Sequence, residues 1–271
     1  MRILLFLFVS WLGCGAAFAQ AEKVVEIESR GQKIRALLIQ PENPAGSVIL
    51  LAGGHGKLDI TADGHITSLG KNQLVRTRAA YAKAGFAVLV PDIAPDMKTR
   101  SGVANGYRAS NAYAQDLGAA VRYMRSLKNP VVMIGTSRGT LSVANALGWL
   151  TQKTERPDAA VMTSGFFAPL SASPFEVRRL VHDKANALNL PTLIVQHRKD
   201  ACHATSPANV AGFKNWYEKN GRKLDVIWME GGLPPKGDPC EAFGAHGFYG
   251  LDQEVVDRIS AWIKAQPLSR P

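Results

Sequence analysis

Residues 131–150 of the chain read VVMIGTSRGTLSVANALGWL, and this stretch decides the fold. Its first four residues form a short, continuous apolar run, as a strand that is buried on both faces requires. The run enters Gly-Thr-Ser-Arg-Gly at 135–139, and the small residues that follow predict a helix over 140–150. A serine between two glycines at a tight strand-to-helix turn is typical of a nucleophile, because the turn holds the hydroxyl exposed at its tip. The stretch therefore predicts a layered α/β fold with Ser137 as the nucleophile.

Apolar runs and helical segments alternate along the rest of the chain. Further runs with the length of buried strands lie at 47–52, 86–90, 159–163, 191–196 and 223–229. Helices are predicted at 72–84, 110–127, 176–188, 207–220 and 253–265. Buried strands that alternate with helices indicate a mostly parallel, doubly wound sheet with helices on both faces. Two strands at 24–28 and 34–39 predict a hairpin at an antiparallel N-terminal edge.

The first 19 residues have the parts of a secretory signal peptide in the right order. Arg2 supplies a positive start, residues 3–12 are an apolar run too short to span a bilayer, and Ala17-Phe18-Ala19 is a small-x-small cleavage pattern. We therefore expect an exported protein, periplasmic or secreted, with a single domain over 20–271. A lipoprotein anchored through Cys14 is the alternative. No later segment approaches the ~20 apolar residues of a transmembrane helix, so no membrane insertion is expected after cleavage.

The chain is basic, with 32 lysine and arginine residues against 22 aspartate and glutamate residues, and a formal charge of +10. Its cations are scattered, whereas a nucleic-acid-binding surface would need a dense basic stripe with interleaved aromatic residues. The charge therefore favours a solvated basic surface, and no nucleic-acid partner is expected.

Cys202 and Cys240 are the cysteines that remain once the signal peptide is removed. An even pair in an oxidising compartment predicts one disulfide bond. Their spacing fits no common zinc pattern, so no metal is expected, and no cofactor is expected either.

A serine hydroxyl needs a base and an acid before it can act as a nucleophile. After a strand-turn-helix nucleophile of this kind, the order along the chain is serine, acid, histidine. His246, in a glycine-flanked loop after the last predicted strand, is the expected base. Asp200 follows the strand at 191–196 and so reaches the same sheet edge as Ser137, which makes it the expected acid. Glu230, at the end of the next strand, is the alternative acid.

A glycine-rich loop, Gly53-Gly54-His55-Gly56, ends the strand at 47–52. Acyl transfer needs backbone N–H groups aimed at the developing oxyanion. One is expected from Arg138, the residue after the nucleophile, and the other from Gly54 or His55. The alternative is a tight turn without a catalytic role.

Aromatic and basic side chains near these loops are candidate substrate contacts. Phe166 and Phe167 are expected to line an acyl pocket, with packing beneath their loop as the alternative. Arg108 is a candidate to bind an acidic group of the substrate, with a structural role as the alternative. Only a short segment separates the strand at 159–163 from the next helix, so no large cap is expected. This favours an esterase acting on soluble esters over a lipase.

The glycine-rich loop, the Gly-Thr-Ser-Arg-Gly turn, Asp200 after its strand and His246-Gly247-Phe248 together resemble the α/β-hydrolase superfamily. The resemblance covers nearly all of the mature chain and is nearest to the dienelactone-hydrolase-like branch, whose members are small and have no large cap. Dienelactone hydrolases themselves carry a cysteine nucleophile, so the serine in this chain points to a plain esterase. The chain also resembles exported bacterial members with one cysteine just after the acid and another just before the base.

The predicted activity is therefore hydrolysis of carboxylic esters through an acyl-enzyme, with a small-molecule ester as the partner. Acyl transfer to another acceptor, or peptide cleavage, would use the same triad. A binding protein on an inactive scaffold is disfavoured, because every triad position is filled. The sequence indicates no oligomeric state.

Overall fold

Eight strands form one sheet in the computed structural model, which describes residues 21–99, 102, 105–168, 177–182 and 190–268. The strands are β1 (Glu22–Ser29), β2 (Gln32–Ile39), β3 (Gly46–Leu51), β4 (Phe86–Pro91), β5 (Val131–Thr136), β6 (Ala159–Thr163), β7 (Thr192–His197) and β8 (Leu224–Met229). Their order across the sheet is β1-β2-β4-β3-β5-β6-β7-β8. The pairs β1–β2 and β2–β4 are antiparallel, and every other neighbouring pair is parallel. The predicted sheet, including its antiparallel N-terminal edge, is confirmed.

Helices cover both faces of this sheet. In the described part of the chain they are α1 (Gln73–Arg76), α2 (Arg78–Lys83), α3 (Asn105–Arg108), α4 (Asn111–Leu127), α5 (Gly139–Trp149), α6 (Val177–His182), α7 (Ala208–Lys219) and α8 (Asp252–Ala265). Buried residues of α4, α5, α6 and α7 share one apolar cluster, and those of α1, α2 and α8 share another. The sheet therefore separates two hydrophobic cores, as a doubly wound fold requires.

Strand β3 shows how a continuous apolar run serves both cores. Ile49 and Leu51 belong to the cluster on the α4 side, while Val48 and Leu50 belong to the cluster on the α8 side. Successive side chains of a strand point to opposite faces, so a strand covered on both sides must be apolar throughout. All six residues of β3 are buried.

The helix predicted over 72–84 is divided into α1 and α2 at Thr77. The Thr77 hydroxyl donates to the Gln73 carbonyl at 2.8 Å, and such back-bonding to an earlier turn bends a helix. The backbone of Thr77 leaves the helical region, with φ −94° and ψ 2°. The division leaves α1 as a single turn that borders the site described below. Helix α3 was not predicted.

The predicted signal peptide at 1–19 and the alternative lipid anchor at Cys14 lie outside the described residues. The helix predicted over 176–188 is described only at Val177–His182. None of the helices that the structure describes combines the length and the apolar character that crossing a membrane demands. Among the same residues no large cap covers the sheet, as expected.

Candidate active site

Ser137 lies at a sharp turn between β5 and α5, with a backbone φ of 52°. A positive φ is strained for a residue with a side chain and costs about 1–3 kcal/mol. The flanking glycines make the turn possible, because a Cβ at Gly135 would collide with the carbonyl of Gly139, and one at Gly139 with the carbonyl of Leu51. Backbone hydrogen bonds hold the turn, including one from the Ser137 N–H to the Thr163 carbonyl at 2.9 Å. This is the geometry of a nucleophile elbow.

Asp200 lies in the loop after β7, one strand beyond β6 from the serine turn. Its carboxylate is buried and fully hydrogen-bonded. Oδ1 accepts from the Cys202 backbone N–H at 3.0 Å, and Oδ2 accepts from the Gln196 amide at 2.9 Å and from the Thr205 hydroxyl at 3.0 Å. These donors satisfy both oxygens of the buried carboxylate.

His246 lies in a short 3₁₀ turn, Ala245–Gly247, that follows β8. Its Nδ1 is 3.1 Å from Oδ2 of Asp200, and only 6% of the imidazole is exposed. Its carbonyl accepts from the Ser164 hydroxyl at 2.8 Å, which fixes the turn against the end of β6. The structure thus brings the predicted acid and base into direct contact. The alternative acid, Glu230, is exposed and ion-paired with Arg198 at 2.6 Å.

One pocket of about 810 Å³ lies at this edge of the sheet, and both Ser137 and His246 line it. Its apolar wall includes Leu69 and Phe166, and the charged residues that line it are Lys71, Arg138 and Glu241. Ser137 and His246 therefore face one pocket at the carboxyl end of β5, which is where ligands bind in open parallel sheets.

The glycine-rich loop after β3 packs directly against the serine turn. A Cβ at Gly53 would lie 2.8 Å from the Thr136 carbonyl oxygen and 2.9 Å from the Ser137 Cβ, so only glycine fits there. Gly54, with φ 54°, lines the pocket together with His55 and Arg138. Within the described residues, the backbone N–H groups of these three donate no hydrogen bond to the protein. They are the groups expected to face an oxyanion.

The His55 imidazole is engaged within its own loop. Its Nδ1 accepts from the Lys57 N–H at 3.2 Å, so its Nε2 carries the proton and donates to the Ser68 hydroxyl at 3.2 Å. With both ring nitrogens occupied, the contribution available from His55 is its backbone N–H.

Arg108 does not line the pocket, so the structure does not support its assignment as a substrate contact. The side chain is buried, and its guanidinium donates to the Ser142 hydroxyl at 2.6 Å and to the carbonyls of Ala52, Gly53 and Gly54 at 3.2–3.4 Å. Burial lowers the pKa of Arg108 from its ordinary value. Arg108 therefore has the structural role that was the alternative prediction, because it connects the glycine-rich loop to α5.

The two predicted aromatic contacts separate. Phe166 lines the pocket, whereas Phe167 is fully buried and packs on Phe213 of α7, with ring centroids 4.8 Å apart. Phe167 is thus part of the core, as in the alternative of packing beneath the loop.

Cys202 and Cys240 form a disulfide bond, with Cα atoms 4.5 Å apart, and both border the pocket. The bond joins the acid loop (residues 198–206) to the base loop (residues 238–250). Potential ligand atoms of Cys202, His203 and Cys240 lie within 4.8 Å of one another. Sulfurs bonded to each other offer no thiolate, so this cluster does not fit a metal site.

Three polar residues near Asp200 and His246 were not predicted from the sequence. Thr205 and Gln196 contact Asp200, and Arg76 of α1 donates to the Gly247 carbonyl at 2.7 Å and pairs with Asp252. Position gives one usable signal: Gln196 and Thr205 lie within five residues of Asp200, so they had to be near its carboxylate.

Comparison with protein-family models and with curated protein sequences gives no match. Solved structures do share the fold. A dienelactone hydrolase from Anabaena variabilis is similar at a TM-score of 0.60 and 16% identity, with 93% of this chain and 100% of that chain covered. A sugar hydrolase from Lactococcus lactis is similar at 0.61 and 16%, covering 90% and 97%, and an esterase from Pyrococcus furiosus at 0.57 and 17%, covering 90% and 91%. The chain therefore has the α/β-hydrolase fold, and the resemblance seen in the sequence is confirmed at that level.

Proposed function

We propose that this protein is a serine hydrolase that cleaves carboxylic esters of small molecules through an acyl-enzyme. The observation that carries the proposal is the arrangement at the pocket. Ser137, held at a positive φ on a nucleophile elbow, shares the pocket with His246, and the Nδ1 of His246 lies 3.1 Å from the buried Asp200 carboxylate. The hydrolases and esterases among the similar structures support the proposal as a matter of fold.

In the acylation step, Nε2 of His246 takes the proton of the Ser137 hydroxyl as the serine oxygen attacks the ester carbonyl carbon. The imidazolium then gives this proton to the leaving alcohol as the ester C–O bond breaks. In deacylation, His246 takes a proton from a water molecule as the water oxygen attacks the acyl carbon. The imidazolium then returns that proton to the Ser137 oxygen as the bond between this oxygen and the acyl carbon breaks, and the acid is released. Asp200 stays ionised throughout and stabilises the imidazolium.

The oxyanion of each tetrahedral intermediate needs fixed donors. Arg138 N–H and the N–H of Gly54 or His55 are our candidates, because these groups border the pocket and find no acceptor among the described residues. The N-terminus of α5, an 11-residue helix, begins directly behind Ser137 and adds a favourable electrostatic contribution.

The substrate that we propose is a small soluble ester whose acyl or alcohol part contacts Phe166 and Leu69. The pocket volume of about 810 Å³ and the lack of a large cap over the described residues support this choice. Export through the N-terminal segment at 1–19 belongs to the same proposal, and the disulfide bond is compatible with it.

The first test is a panel of acyl esters of varied chain length and charge, measured with the mature protein and two alanine variants. Ser137→Ala should abolish hydrolysis, since it removes only the nucleophilic hydroxyl. Ser126→Ala is the matched control, because it removes an exposed hydroxyl on the remote helix α4, and it should match the parent protein. Hydrolysis that survives in Ser137→Ala would refute the proposal.

A further inference from the structure

The Thr205 hydroxyl lies between the acid and the base of the proposed triad. Its Oγ1 is 3.0 Å from Oδ2 of Asp200 and 3.0 Å from Nδ1 of His246. The residue is 1% exposed, so no bulk water competes for these contacts. We infer that Thr205 is a positioning residue that sets the protonation pattern of His246, an inference that rests on the function proposed above.

The protons shared among Asp200, Thr205 and His246 can be placed consistently in one way. The ionised Asp200 carboxylate only accepts hydrogen bonds, and a threonine hydroxyl has one proton to donate. If Thr205 donates to Asp200, the Nδ1 of His246 must carry a proton, which then points at the carboxylate with the threonine oxygen beside it as a second acceptor.

The reverse arrangement places two acceptors against each other. If Thr205 donated to Nδ1 instead, the Nδ1 lone pair would face Asp200 Oδ2 at 3.1 Å with no proton between them. Buried lone pairs that meet without a donor are costly. The hydroxyl therefore favours the tautomer with its proton on Nδ1, which leaves Nε2 free to take the proton of Ser137.

The backbone of Thr205 is fixed independently of its hydroxyl. The Thr205 N–H donates to the Cys202 carbonyl at 3.1 Å, and the Thr205 carbonyl accepts from the Gln196 amide at 3.1 Å. Both contacts survive in Thr205→Val, which has nearly the same shape and removes only the hydroxyl. Thr205→Ser keeps the hydroxyl.

Gln196 offers a matched control. It also donates to Asp200 Oδ2, but its contacts are with Asp200 and the Thr205 carbonyl rather than with the imidazole. Gln196→Leu thus removes one donor from the same carboxylate oxygen and leaves the threonine beside His246. Both substitutions weaken support for the acid, so only an effect on the histidine tautomer separates their roles.

The experiment measures the reactivity of Ser137 and the tautomer of His246 in each variant. One is the rate of Ser137 modification by a fluorophosphonate, together with kcat and KM for an activated ester. The other is the tautomer of neutral His246, read from the nitrogen NMR shifts of histidine-labelled protein, with His246→Ala assigning the signal.

Thr205→Val should lower kcat and the modification rate by about 10- to 100-fold, as the loss of a hydrogen bond to a charged group implies, with little change in KM. It should also populate the Nε2–H tautomer. Thr205→Ser should stay within about threefold of the parent protein, and Gln196→Leu should keep the Nδ1–H tautomer. If Thr205→Val does not fold, Thr205→Ala removes the same hydroxyl and is measured in its place.

An unchanged tautomer in Thr205→Val would overturn the inference, and so would an Nε2–H tautomer in the parent protein. A loss of activity that Thr205→Ser fails to restore would point to packing alone and would also overturn it. If the parent protein does not react with the fluorophosphonate, the proposed function fails instead, while the NMR comparison still decides the role of Thr205.

Discussion

Among single residues, the glycines are as important to the site as the residues with polar side chains. Ser137 occupies its strained turn because Gly135 and Gly139 leave room for the backbone, and Gly53 lets the neighbouring loop touch the serine itself. Arg108 then holds that loop in place through hydrogen bonds to the carbonyls of Ala52, Gly53 and Gly54. The N–H groups that we propose as oxyanion donors are therefore positioned by residues outside the pocket lining.

Arg108→Met tests this role of the buried guanidinium. It removes the guanidinium that donates to the Ser142 hydroxyl and to the buried Ala52 carbonyl, so we expect a loss of about 1–3 kcal/mol in the free energy of unfolding. We also expect kcat to fall by about 10-fold or more, because the glycine-rich loop that carries the proposed oxyanion donors loosens. The fall should be smaller than the ~10²–10³ that follows the removal of a donor itself. Thermal unfolding and ester hydrolysis measure the two effects.

Arg122→Met is the control for Arg108→Met, since Arg122 is half exposed and forms a surface ion pair with Glu155. It should change neither quantity appreciably. A higher KM for acidic esters alone, with kcat and stability intact in Arg108→Met, would instead restore the assignment of Arg108 to substrate binding.

The residues that sequence could place are those whose position follows from a strand end. Ser137, Asp200 and Gly54 each lie within three residues of the end of a parallel strand, so their position at one sheet edge follows from the order of elements. Arg108 could not be placed in this way. Its destination depends on how α3, which the sequence did not predict, packs beside Ser142 of α5.

At the scale of elements, the base loop is held from two sides. The disulfide bond ties Cys240 to the acid loop, and Arg76 of α1 donates to the carbonyls of Ala242 and Gly247 while its guanidinium lies over Phe243. Asp200 and His246, which are 3.1 Å apart, belong to the two loops that the disulfide bond joins. The ties from α1 could not be predicted, because the break at Thr77 that isolates α1 was hidden within one helical pattern.

The Cys202→Ser/Cys240→Ser variant tests the tie between the acid and base loops. The bond spans a sequence separation of 38 residues, and its loss should cost about 4 kcal/mol in the chain-entropy description. If the bond also keeps the triad in register, the turnover number falls well below the melting temperature, because catalytic geometry tolerates little slack.

Thermal unfolding and turnover, measured on the same preparation, separate these contributions. A variant that melts earlier but keeps its turnover number at low temperature would show that the bond only stabilises the fold. Two free thiols in protein purified from its native compartment would contradict the bond altogether.

At the scale of the whole molecule, the fold was the most predictable property. Apolar runs the length of buried strands, alternating with helices, allowed few arrangements other than a parallel sheet with two cores, and the eight-stranded sheet confirms it. The pocket was less predictable. Its walls are loops, and whether Phe166 or Phe167 faces the substrate depends on packing against α7 rather than on periodicity.

If the protein is exported, its N-terminal segment should be removed. When residues 1–271 are produced in a bacterium that exports proteins, the mature form should begin near Gln20, because Ala17-Phe18-Ala19 supplies the cleavage pattern. N-terminal sequencing of the periplasmic or secreted fraction measures this. Retention of residues 1–19, or a lipid-modified Cys14, would contradict it.

The site of covalent modification by a fluorophosphonate tests most directly whether Ser137 is the nucleophile. Trypsin releases residues 129–138 as NPVVMIGTSR, in which Ser137 is the only serine, so mass spectrometry locates the adduct without ambiguity. We expect one adduct per chain, on Ser137, and none in Ser137→Ala. An unmodified 129–138 peptide, or an adduct on a different serine, would contradict the assignment of Ser137 as the nucleophile.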